Sequence, residues 1–516
     1  MSDTARTGAD ALVSTLAAHG VTACFANPGT SEMHLVQALD REPRIRSVLC
    51  LFEGVATGAA DGFARLAGTP AMTLLHLGPG YANGAANIHN ARRARTPMIN
   101  VVGDHATFHR DLDAPLTSDV ETLVAPNSRW VGVVERSADA GPLAAQAFAA
   151  THGPAPAPVS LILPADAAWN PGGADGAATP APPAAVSASR VAAVAAAVKR
   201  AAKPVLLVNG PALATEAGLV ALARIAGAGV RIITDTFVGR ILRGAGLFAP
   251  EKLAYFGEQA LAQLDGVDLL VTAGTEPPVA FFAYPGRPSR LTPDGCATLS
   301  LAHPDEDSAA ALCALAETLG AAPAPGAPAR VPDAPAGELF PASLAAGIAR
   351  HLPEGAIISD DAVTAGLPIW MATHGAPRHD WLCLTGGAIG QGLPLAVGAA
   401  VACPDRKVIA LTGDGAGAYT PQALWTMARE RLPIVTVVFA NRSYRILTIE
   451  MARTEAGNPG PAAKAMLSLD DPAMDWVKLA EGFGVEAVRV DTAEAFESAF
   501  ARAVAMDVPV LIEAVL

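Results

Sequence analysis

The chain has 516 residues, of which 51% are hydrophobic and 16% are charged. This length allows about two to four domains, and the composition is typical of a large globular enzyme, which excludes a disordered or fibrous chain. A formal net charge of −13 disfavours nucleic acid and anionic membranes as binding partners.

The six cysteines are scattered along the chain and show no CxxC or metal-ligand spacing, so we expect reduced core residues. The first residues lack a basic stretch followed by an apolar one, and no apolar run is long enough to span a bilayer. These patterns predict a soluble, cytoplasmic protein.

Two stretches rich in Ala, Pro and Gly, residues 164–189 and 320–337, lack a regular periodic pattern and are predicted to be surface linkers. They divide the chain into segments 1–165, 190–320 and 338–516. In each segment, helical patterns alternate with short runs rich in Val, Ile and Leu. The expected fold class is therefore α/β, with three doubly wound parallel-sheet domains.

The first segment is predicted to contain helices at 8–19, 54–66 and 83–95 and strands at 22–25, 47–52, 71–75 and 98–102. Residues 27–32, Asn-Pro-Gly-Thr-Ser-Glu, form a turn that caps the next helix. Glu53 is expected at the end of the second strand, and His76 at the end of the third, before a loop. From this segment alone, Glu53 is most simply a first-turn residue favoured by a helix dipole.

The middle segment is predicted to contain strands at 205–208, 230–234 and 269–273, separated by Ala-rich helices. It carries no convincing catalytic cluster. The third segment begins with a helix at 341–351 and a strand at 356–359. Residues 385–390, Thr-Gly-Gly-Ala-Ile-Gly, form a turn whose glycines let the backbone approach a ligand closely, although a strand–helix turn without a ligand is the alternative.

The stretch 408–450 is the most informative. It predicts a strand at 408–411, a tight Gly-Asp-Gly turn at 413–415, a helix through 425–429 that starts near Thr420, and a second strand at 432–439. A β-α-β unit of this kind places both strand ends on one edge of a parallel sheet, where open α/β folds bind ligands.

Asp414 and Asn441 are therefore expected close together. With carbonyls, water and two phosphate oxygens, these hard oxygen ligands suit Mg²⁺ or Ca²⁺. Gly415, Ala416 and Gly417 have little bulk, so their N–H groups can approach an anion. The spacing does not match GxGxxG, and a Gly-Asp-Gly turn that binds nothing is the alternative.

A Gly-Asp-Gly turn followed by Asn441 resembles the signature of thiamine diphosphate (ThDP) enzymes, in which Gly-Asp-Gly is followed by two adjacent asparagines. Here the first asparagine is replaced by Ala440, while Asn441 keeps the position of the metal ligand. Residues 52–71, FEGVATGAADGFARLAGTPA, resemble the glutamate segment of the same family. Over essentially its whole length the chain is similar to 2-oxo acid decarboxylases and acetohydroxyacid synthases, with motifs closest to benzoylformate decarboxylase.

The resemblance implies a pyrimidine-binding (PYR) domain at 1–165, a central Rossmann-like domain at 190–320, and a diphosphate-binding (PP) domain at 338–516. Glu53 would hydrogen-bond N1′ of the aminopyrimidine and favour the imino tautomer that generates the ylid. His76 would transfer protons and bind the substrate carboxylate. The loop 27–30 matches an Asn-Pro-Gly-Ser loop of benzoylformate decarboxylase, so Thr30 would contact substrate and Asn27 the cofactor.

In the PP domain, the resemblance assigns the metal to Asp414, Asn441 and the carbonyl of Ser443. The Gly387 carbonyl would accept a hydrogen bond from the 4′-amino group, and Ile389 would hold the cofactor in its bent conformation. The other implied cofactor contacts are Thr364, Gly413, Gly415, Ala416 and Tyr419.

Two subunits share each site in this family, so the resemblance implies a homodimer at minimum and a homotetramer as the expected assembly. The flavin-associated run of acetohydroxyacid synthases is replaced at 275–279 by Thr-Glu-Pro-Pro-Val, so we expect no FAD. A second catalytic histidine of benzoylformate decarboxylase aligns with Ala283 here.

The resemblance implies ylid attack on the ketone of a 2-oxo acid, loss of CO₂ to give an enamine, and capture of that enamine. Protonation gives an aldehyde, and attack on a second carbonyl gives an acyloin such as acetolactate. His76 and the 27–30 loop favour the decarboxylase, with carboligation as the alternative. A nucleotide-binding α/β oxidoreductase is a third hypothesis.

The residues after Asn441 bear on the substrate. Ile446 would narrow a pocket for a phenyl ring. Glu450 would favour a polar or cationic end if it points inward, and it is otherwise a solvated helix residue. We therefore expect a 2-oxo acid that is not simply benzoylformate.

Overall fold

The computed structural model describes residues 6–153, 155–454, 457 and 459–516. Three sheets form in chain order, each flanked by helices, which confirms the α/β fold class expected from the sequence. None of the helices in these residues is long and apolar enough to cross a membrane.

The first sheet has six parallel strands in the order β2-β1-β3-β4-β6-β5. The strands are β1 (Ala23–Asn27), β2 (Arg46–Leu49), β3 (Ala71–Leu75), β4 (Met98–Asp104), β5 (Val131–Val133) and β6 (Pro158–Pro164). Its helices are α1 (Gly8–Ala18), α2 (Met33–Asp40), α3 (Glu53–Ala67), α4 (Leu77–Ala94), α5 (Val120–Val124), α6 (Ala140–His152) and α7 (Ala165–Trp169). Because the chain crosses to either side of β1 and β3, the loops beyond these strands meet at a topological switch point.

The second sheet comes from the middle segment and has the order β10-β8-β7-β11-β12. Its strands are β7 (Pro204–Val208), β8 (Arg231–Thr234), β10 (Glu251–Lys252), β11 (Leu269–Ala273) and β12 (Ala297–Ala302). The helices are α8 (Ala188–Arg200), α9 (Glu216–Gly227), α10 (Gly257–Gln263) and α11 (Ser308–Leu319).

The middle segment also supplies a strand to the third sheet. This strand, β9 (Ile241–Arg243), pairs antiparallel with the edge strand of that sheet. The Arg243 guanidinium is buried and lies 3.5 Å from the centroid of the Trp370 ring. The strand pairing and this cation–π contact fix the second sheet against the third.

The third sheet has seven strands in the order β17-β18-β16-β15-β13-β14-β9. The strands not yet given are β13 (Ala356–Asp361), β14 (His379–Cys383), β15 (Val408–Gly413), β16 (Ile434–Ala440), β17 (Glu486–Val490) and β18 (Val510–Val515). The helices are α12 (Pro341–His351), α13 (Gly366–Ala372), α14 (Gly392–Ala402), α15 (Asp414–Gly417), α16 (Ala423–Arg429), α17 (Arg445–Arg453), α18 (Pro461–Leu467), α19 (Trp476–Gly482) and α20 (Ala493–Val504).

Helix α3 of the first domain packs directly on helix α14 of the third. Both are rich in small residues, and a Cβ at Gly398 would overlap the carbonyl oxygen of Ala59. Only glycine permits this backbone approach. At the same contact, Gln391 Nε2 donates to Asp61 Oδ2 (2.6 Å), and Asp61 is also ion-paired with Arg65. The first and third domains of one chain are therefore held in a fixed relation.

Four local predictions were wrong. Glu53 does not end a strand; β2 stops at Leu49, and Glu53 is the first residue of α3. Residues 77–80 are not a loop but the first turn of α4. Helix α16 begins at Ala423, and Thr420 is not its cap but donates to the carbonyl of Gly390. The stretch 164–189 is not all linker, because it contains the half-buried helix α7.

Candidate active site

Asp414 and Asn441 meet at the carboxyl edge of the third sheet, as the β-α-β pattern predicted. Strands β15 and β16 are parallel neighbours, and Asp414 follows the first while Asn441 follows the second. Asp414 Oδ2 accepts a hydrogen bond from the backbone N–H of Arg442 (2.6 Å), and Oδ1 accepts from that of Gly415 (2.8 Å). These bonds hold the carboxylate beside the Asn441 turn.

Asp414 is a buried carboxylate without a cationic partner in the described part of the chain. It is 4% exposed, and burial raises its pKa above the ordinary value of 3.8. No lysine, arginine or histidine within these residues forms an ion pair with it. A divalent cation at this position would favour the charged form of the carboxylate.

The other candidate metal ligands at this edge are oxygen atoms of neutral groups. Asn441 Oδ1 accepts from Ser443 N–H (3.0 Å) and from Ser443 Oγ (3.3 Å), which closes the turn that carries both residues. Among the described residues, no three His, Cys, Asp or Glu side chains gather to hold a metal by themselves. A cation here would take ligands from Asp414, the amide, a carbonyl and a bound anion, a set that suits Mg²⁺ or Ca²⁺.

Open space lies beside two glycines of this edge. A Cβ at Gly413 or at Gly387 would meet no atom within 4 Å, and Gly387 has a φ of +74°. Gly415 and Ala416 are buried in the short helix α15, whereas Tyr419 just beyond it is 55% exposed. The arrangement leaves room for an anion such as the diphosphate of ThDP, because no side chain fills the space beside Gly413 and Gly387.

Asp361, which was not among the predicted site residues, fixes the end of the 385–390 turn by accepting backbone hydrogen bonds. Asp361 Oδ2 accepts from Gly390 N–H (2.8 Å) and Gly392 N–H (3.1 Å). Burial raises the pKa of Asp361 to about 7. Ile389 is half-buried within this turn, and Thr364 is half-buried in the turn after β13. Both predicted cofactor contacts thus lie on the edge that carries Asp414.

Glu53 lies at the carboxyl edge of the first sheet. It is 7% exposed, and its Oε2 accepts a hydrogen bond from Asn83 Nδ2 (3.0 Å). A Cβ added at Gly80 would lie 3.3 Å from Glu53 Oε1 and 3.3 Å from His76 Cβ, so the two predicted catalytic residues flank the same turn of α4.

His76 is oriented by a buried carboxylate. Its Nδ1 lies 2.8 Å from Glu32 Oε2, and Glu32 is 3% exposed. Since a carboxylate only accepts, Nδ1 carries a proton, and Nε2 is the ring nitrogen left to exchange a proton with a ligand. Glu32 also accepts from Gly29 N–H (2.8 Å) and from Ser31 Oγ (2.7 Å). A Cβ at Gly29 would overlap the imidazole, so glycine is required there.

The loop 27–32 brings Ser31, the neighbour of the predicted substrate contact Thr30, close to His76. Thr30 is exposed, and it is Ser31 that approaches the imidazole, with its Oγ 3.4 Å from His76 Nδ1. Asn27 ends β1 in register with Leu75, which places it on the edge that carries His76. Glu32, like Asp361, was not among the residues predicted from the sequence. The sequence did indicate the position of Glu32, because it is the glutamate of the helix-capping pattern in this turn. It did not indicate the second contact of Glu32, which is with His76.

Within one chain the two edges do not meet. Among the described residues, no hydrogen bond or ion pair joins Glu53 or His76 to the turns around Gly387, Asp414 or Asn441. Helix α4 separates them. Asn83 contacts Glu53, whereas Asn90 Nδ2 donates to the carbonyl of Ala388 (2.8 Å). Seven residues of helix rise about 10 Å.

Ile446 and Glu450 lie on helix α17, which starts shortly after Asn441. Both are half-buried, and Glu450 accepts a hydrogen bond from the Tyr284 hydroxyl in the middle segment. Glu450 is therefore not a solvated helix residue. Its side chain points inward, against the second domain.

The model of the thiamine pyrophosphate enzyme N-terminal TPP binding domain matches residues 6–122, and that of the C-terminal TPP binding domain matches residues 365–514. The chain belongs to the thiamine pyrophosphate enzymes. Thiamine pyrophosphate is another name for ThDP, so both cofactor-binding domains expected from the sequence are confirmed, and the nucleotide-binding oxidoreductase hypothesis is dropped.

Two curated relatives represent two activities within this family. The chain is 51% identical over 514 residues to the "Putative acetolactate synthase large subunit IlvX" of Mycobacterium tuberculosis, with 99% of each chain covered. It is 30% identical over 534 residues to benzoylformate decarboxylase of Pseudomonas aeruginosa, with 96% of each covered. The structure superposes on the ThDP-dependent 4-hydroxybenzoylformate decarboxylase of Rhodococcus jostii RHA1 with a TM-score of 0.84, at 25% identity over 98% of each chain.

Proposed function

We propose that this enzyme catalyses the ThDP- and Mg²⁺-dependent, non-oxidative decarboxylation of a 2-oxo acid, releasing CO₂ and an aldehyde. The observation that supports the proposal is the His76–Glu32 pair beside Glu53, because it is a histidine oriented by a carboxylate, the kind of group that exchanges protons with a substrate. In this reaction the bond between the carboxylate and the carbonyl carbon breaks. The electron pair stays on the carbonyl carbon, which then takes a proton.

Bound ThDP would supply the electron sink that stabilises this electron pair. The side chains of Asp414 and Asn441 would hold the cation and the diphosphate, and Ile389 and the Gly387 carbonyl would border the pyrimidine. Glu53 would accept a hydrogen bond from, or donate one to, the pyrimidine ring, with Asn83 fixing the position of its carboxylate. His76 Nε2 would deliver and remove protons while Glu32 holds Nδ1.

The alternative is carboligation, in which the same carbon attacks a second carbonyl and forms an acyloin. The specific observation in its favour is the 51% identity to a protein named as an acetolactate synthase large subunit. The two reactions share every step up to the loss of CO₂. They diverge only in whether a proton or a second substrate reaches the carbon.

The proposed assembly is at least a homodimer in which the first-domain edge of one chain covers the third-domain edge of its partner. Large apolar side chains are exposed on both edges, which an isolated chain would leave in water. On the first domain these are Leu51, Phe108 and Leu112, and on the third Leu367, Met371 and Leu447. A second copy would bury them and would bring Glu53 and His76 to the Asp414 edge.

The test is CO₂ release and product identification with ThDP, Mg²⁺ and a panel of 2-oxo acids. Aldehyde as the dominant product from single substrates supports the decarboxylase, and acetolactate from pyruvate supports carboligation instead. Glu53→Gln keeps an acceptor for Asn83 but removes the carboxylate, and we expect at least about 100-fold lower kcat. Glu317→Gln, on the exposed face of α11, is the matched control. Unchanged turnover in Glu53→Gln would overturn the assigned role.

A further inference from the structure

Helix α4 of the first domain is hydrogen-bonded to the 385–390 turn of the same chain. Thr385 Oγ1 donates to the carbonyl of Asn90 (2.8 Å), and His89 Nε2 lies 3.1 Å from the carbonyl oxygen of Gly386. Because a carbonyl only accepts, this nitrogen of His89 carries a proton and donates it to the bond. A Cβ at Gly386 would lie 2.4 Å from Asn90 Oδ1, so the helix and the turn are in close contact.

Asn90 is fully buried, and its side chain binds both backbone polar groups of Ala388. Its Oδ1 accepts a hydrogen bond from Ala388 N–H (3.2 Å), and its Nδ2 donates to the Ala388 carbonyl (2.8 Å). Nδ2 also donates to Asn87 Oδ1 (3.0 Å). These partners use both N–H groups and the oxygen of the amide, so the Asn90 side chain is held in one orientation.

Gly387 lies between the two residues that α4 holds. It is exposed, whereas Gly386 and Ala388 are half-buried, and neither its N–H nor its carbonyl is hydrogen-bonded within the described part of the chain. The peptide bond after Gly387 is trans, so the Gly387 carbonyl points opposite to the N–H of Ala388. Since that N–H is directed at Asn90, the Gly387 carbonyl points away from α4, toward the open side of the turn.

We propose that Asn90 and His89 are positioning residues that direct the Gly387 carbonyl at the 4′-amino group of bound ThDP. Asn90 fixes the peptide unit that follows Gly387, and His89 fixes the peptide unit that precedes it. Gly387 itself has no side chain and a φ of +74°, so its backbone depends on these neighbours for its orientation. The assignment rests on the proposed function and adds the residues that orient one acceptor of that site.

The test compares His89→Leu, which removes the donor, with His89→Gln, whose amide can still donate to the Gly386 carbonyl. His303→Leu, the same change at an exposed histidine beyond β12, is the matched control. Each protein receives ThDP and Mg²⁺ without any 2-oxo acid. Titration gives the Kd of ThDP, and NMR after acid quenching gives the rate at which the C2 proton of bound ThDP exchanges with deuterium. This exchange depends on the 4′-amino group and needs no substrate.

We expect His89→Leu to slow the exchange at saturating ThDP by about ten-fold and to change its Kd by less than about three-fold, because the diphosphate and the cation bind at the Asp414 edge. His89→Gln should restore the exchange rate to within about three-fold of the wild type, and His303→Leu should leave it unchanged. Asn90→Ser, whose side chain is too short to bind both groups of Ala388, should slow the exchange in the same way if His89→Leu does not fold.

A split between exchange and Kd separates positioning from a merely structural role, which would weaken ThDP binding and leave the exchange of bound ThDP intact. Equal exchange rates in His89→Leu and the wild type would overturn the assignment, and so would a slow rate that His89→Gln does not restore. A slow rate that His89→Gln restores supports it even if no 2-oxo acid releases CO₂, a result that would overturn only the proposed function.

Discussion

Mixing two inactive variants tests whether two chains share each active site. Glu53→Gln damages the first-domain edge, and Asp414→Asn damages the third-domain edge. If each site combines the first domain of one chain with the third domain of its partner, a hybrid dimer has one site with both defects and one site with neither. Its activity should be about half that of a wild-type dimer, because one of two equivalent sites is intact.

The structure gives a physical reason for expecting this outcome. Glu53 contacts α4 at Asn83, and the Gly387 turn contacts α4 at Asn90, so the two edges of one chain are separated by about 10 Å of helix. The contact between α3 and α14 is dense, with Gly398 against the backbone of Ala59, and cannot slide to close that distance.

The hybrids can be isolated by co-expressing the chains with two different affinity tags and purifying on both. The control hybrid pairs a wild-type chain with one that carries both substitutions. Shared sites predict near-zero activity for this control, whereas sites built within one chain predict about half. The reasoning is refuted if the activities are reversed, with a silent single-variant hybrid and a half-active control.

Three further outcomes are expected. Glu32→Gln should lower kcat by about 10- to 100-fold, because the charged acceptor that orients the His76 ring through Nδ1 is lost; an unaltered kcat would remove Glu32 from the mechanism. Burial and the nearby Arg243 lower the pKa of His379 to about 3, so the ring is neutral in the folded protein. From pH 6.5 to pH 5 this group should lower the free energy of unfolding by about 1.6 kcal/mol, and in urea unfolding the loss of stability should be smaller by that amount in His379→Gln. The pKa of Asp361 is raised to about 7, so its ionisation lowers the free energy of unfolding as pH rises from 4 to 7. Asp361→Asn should therefore raise Tm by roughly 2–8 °C at pH 8 and by much less at pH 5. Equal shifts of Tm at both pH values would contradict this.

The Asp414 edge could be predicted from sequence because its information is local. Two apolar strands, a Gly-Asp-Gly turn and Asn441 lie within one β-α-β unit, and the parallel connection brings the strand ends together in any such fold. The prediction that Glu53 ends a strand was wrong because the local pattern did not show where the edge strand stops. Residues 47–52 are apolar enough for a strand, but β2 is an edge strand that ends at Leu49, and Leu51 is 43% exposed.

The burial of Glu32 and Asp361 could not be predicted, because it depends on distant parts of the chain; the capping pattern places Glu32 at its turn but does not indicate that it is buried. Glu32 is covered by the end of β4, where a Cβ at Gly103 would overlap its carboxylate. Asp361 is buried beside Gly390 and Gly392, and it accepts hydrogen bonds from the N–H groups of both residues. In the sequence, a glutamate in a helix cap and an aspartate after a strand both indicate solvated surface residues.

Helix α3 connects two active sites in the proposed dimer. It begins at Glu53, on the edge that would face the partner, and twelve residues later Arg65 donates to Thr385 Oγ1 (3.1 Å) and to the Cys383 carbonyl (2.8 Å) of its own chain. That contact is next to the Gly387 turn, which would serve the other site. Because the ion pair with Asp61 is almost fully buried, it holds this end of α3 in one position. In the proposed dimer, α3 would therefore link the glutamate of one site to the Gly387 turn of the other.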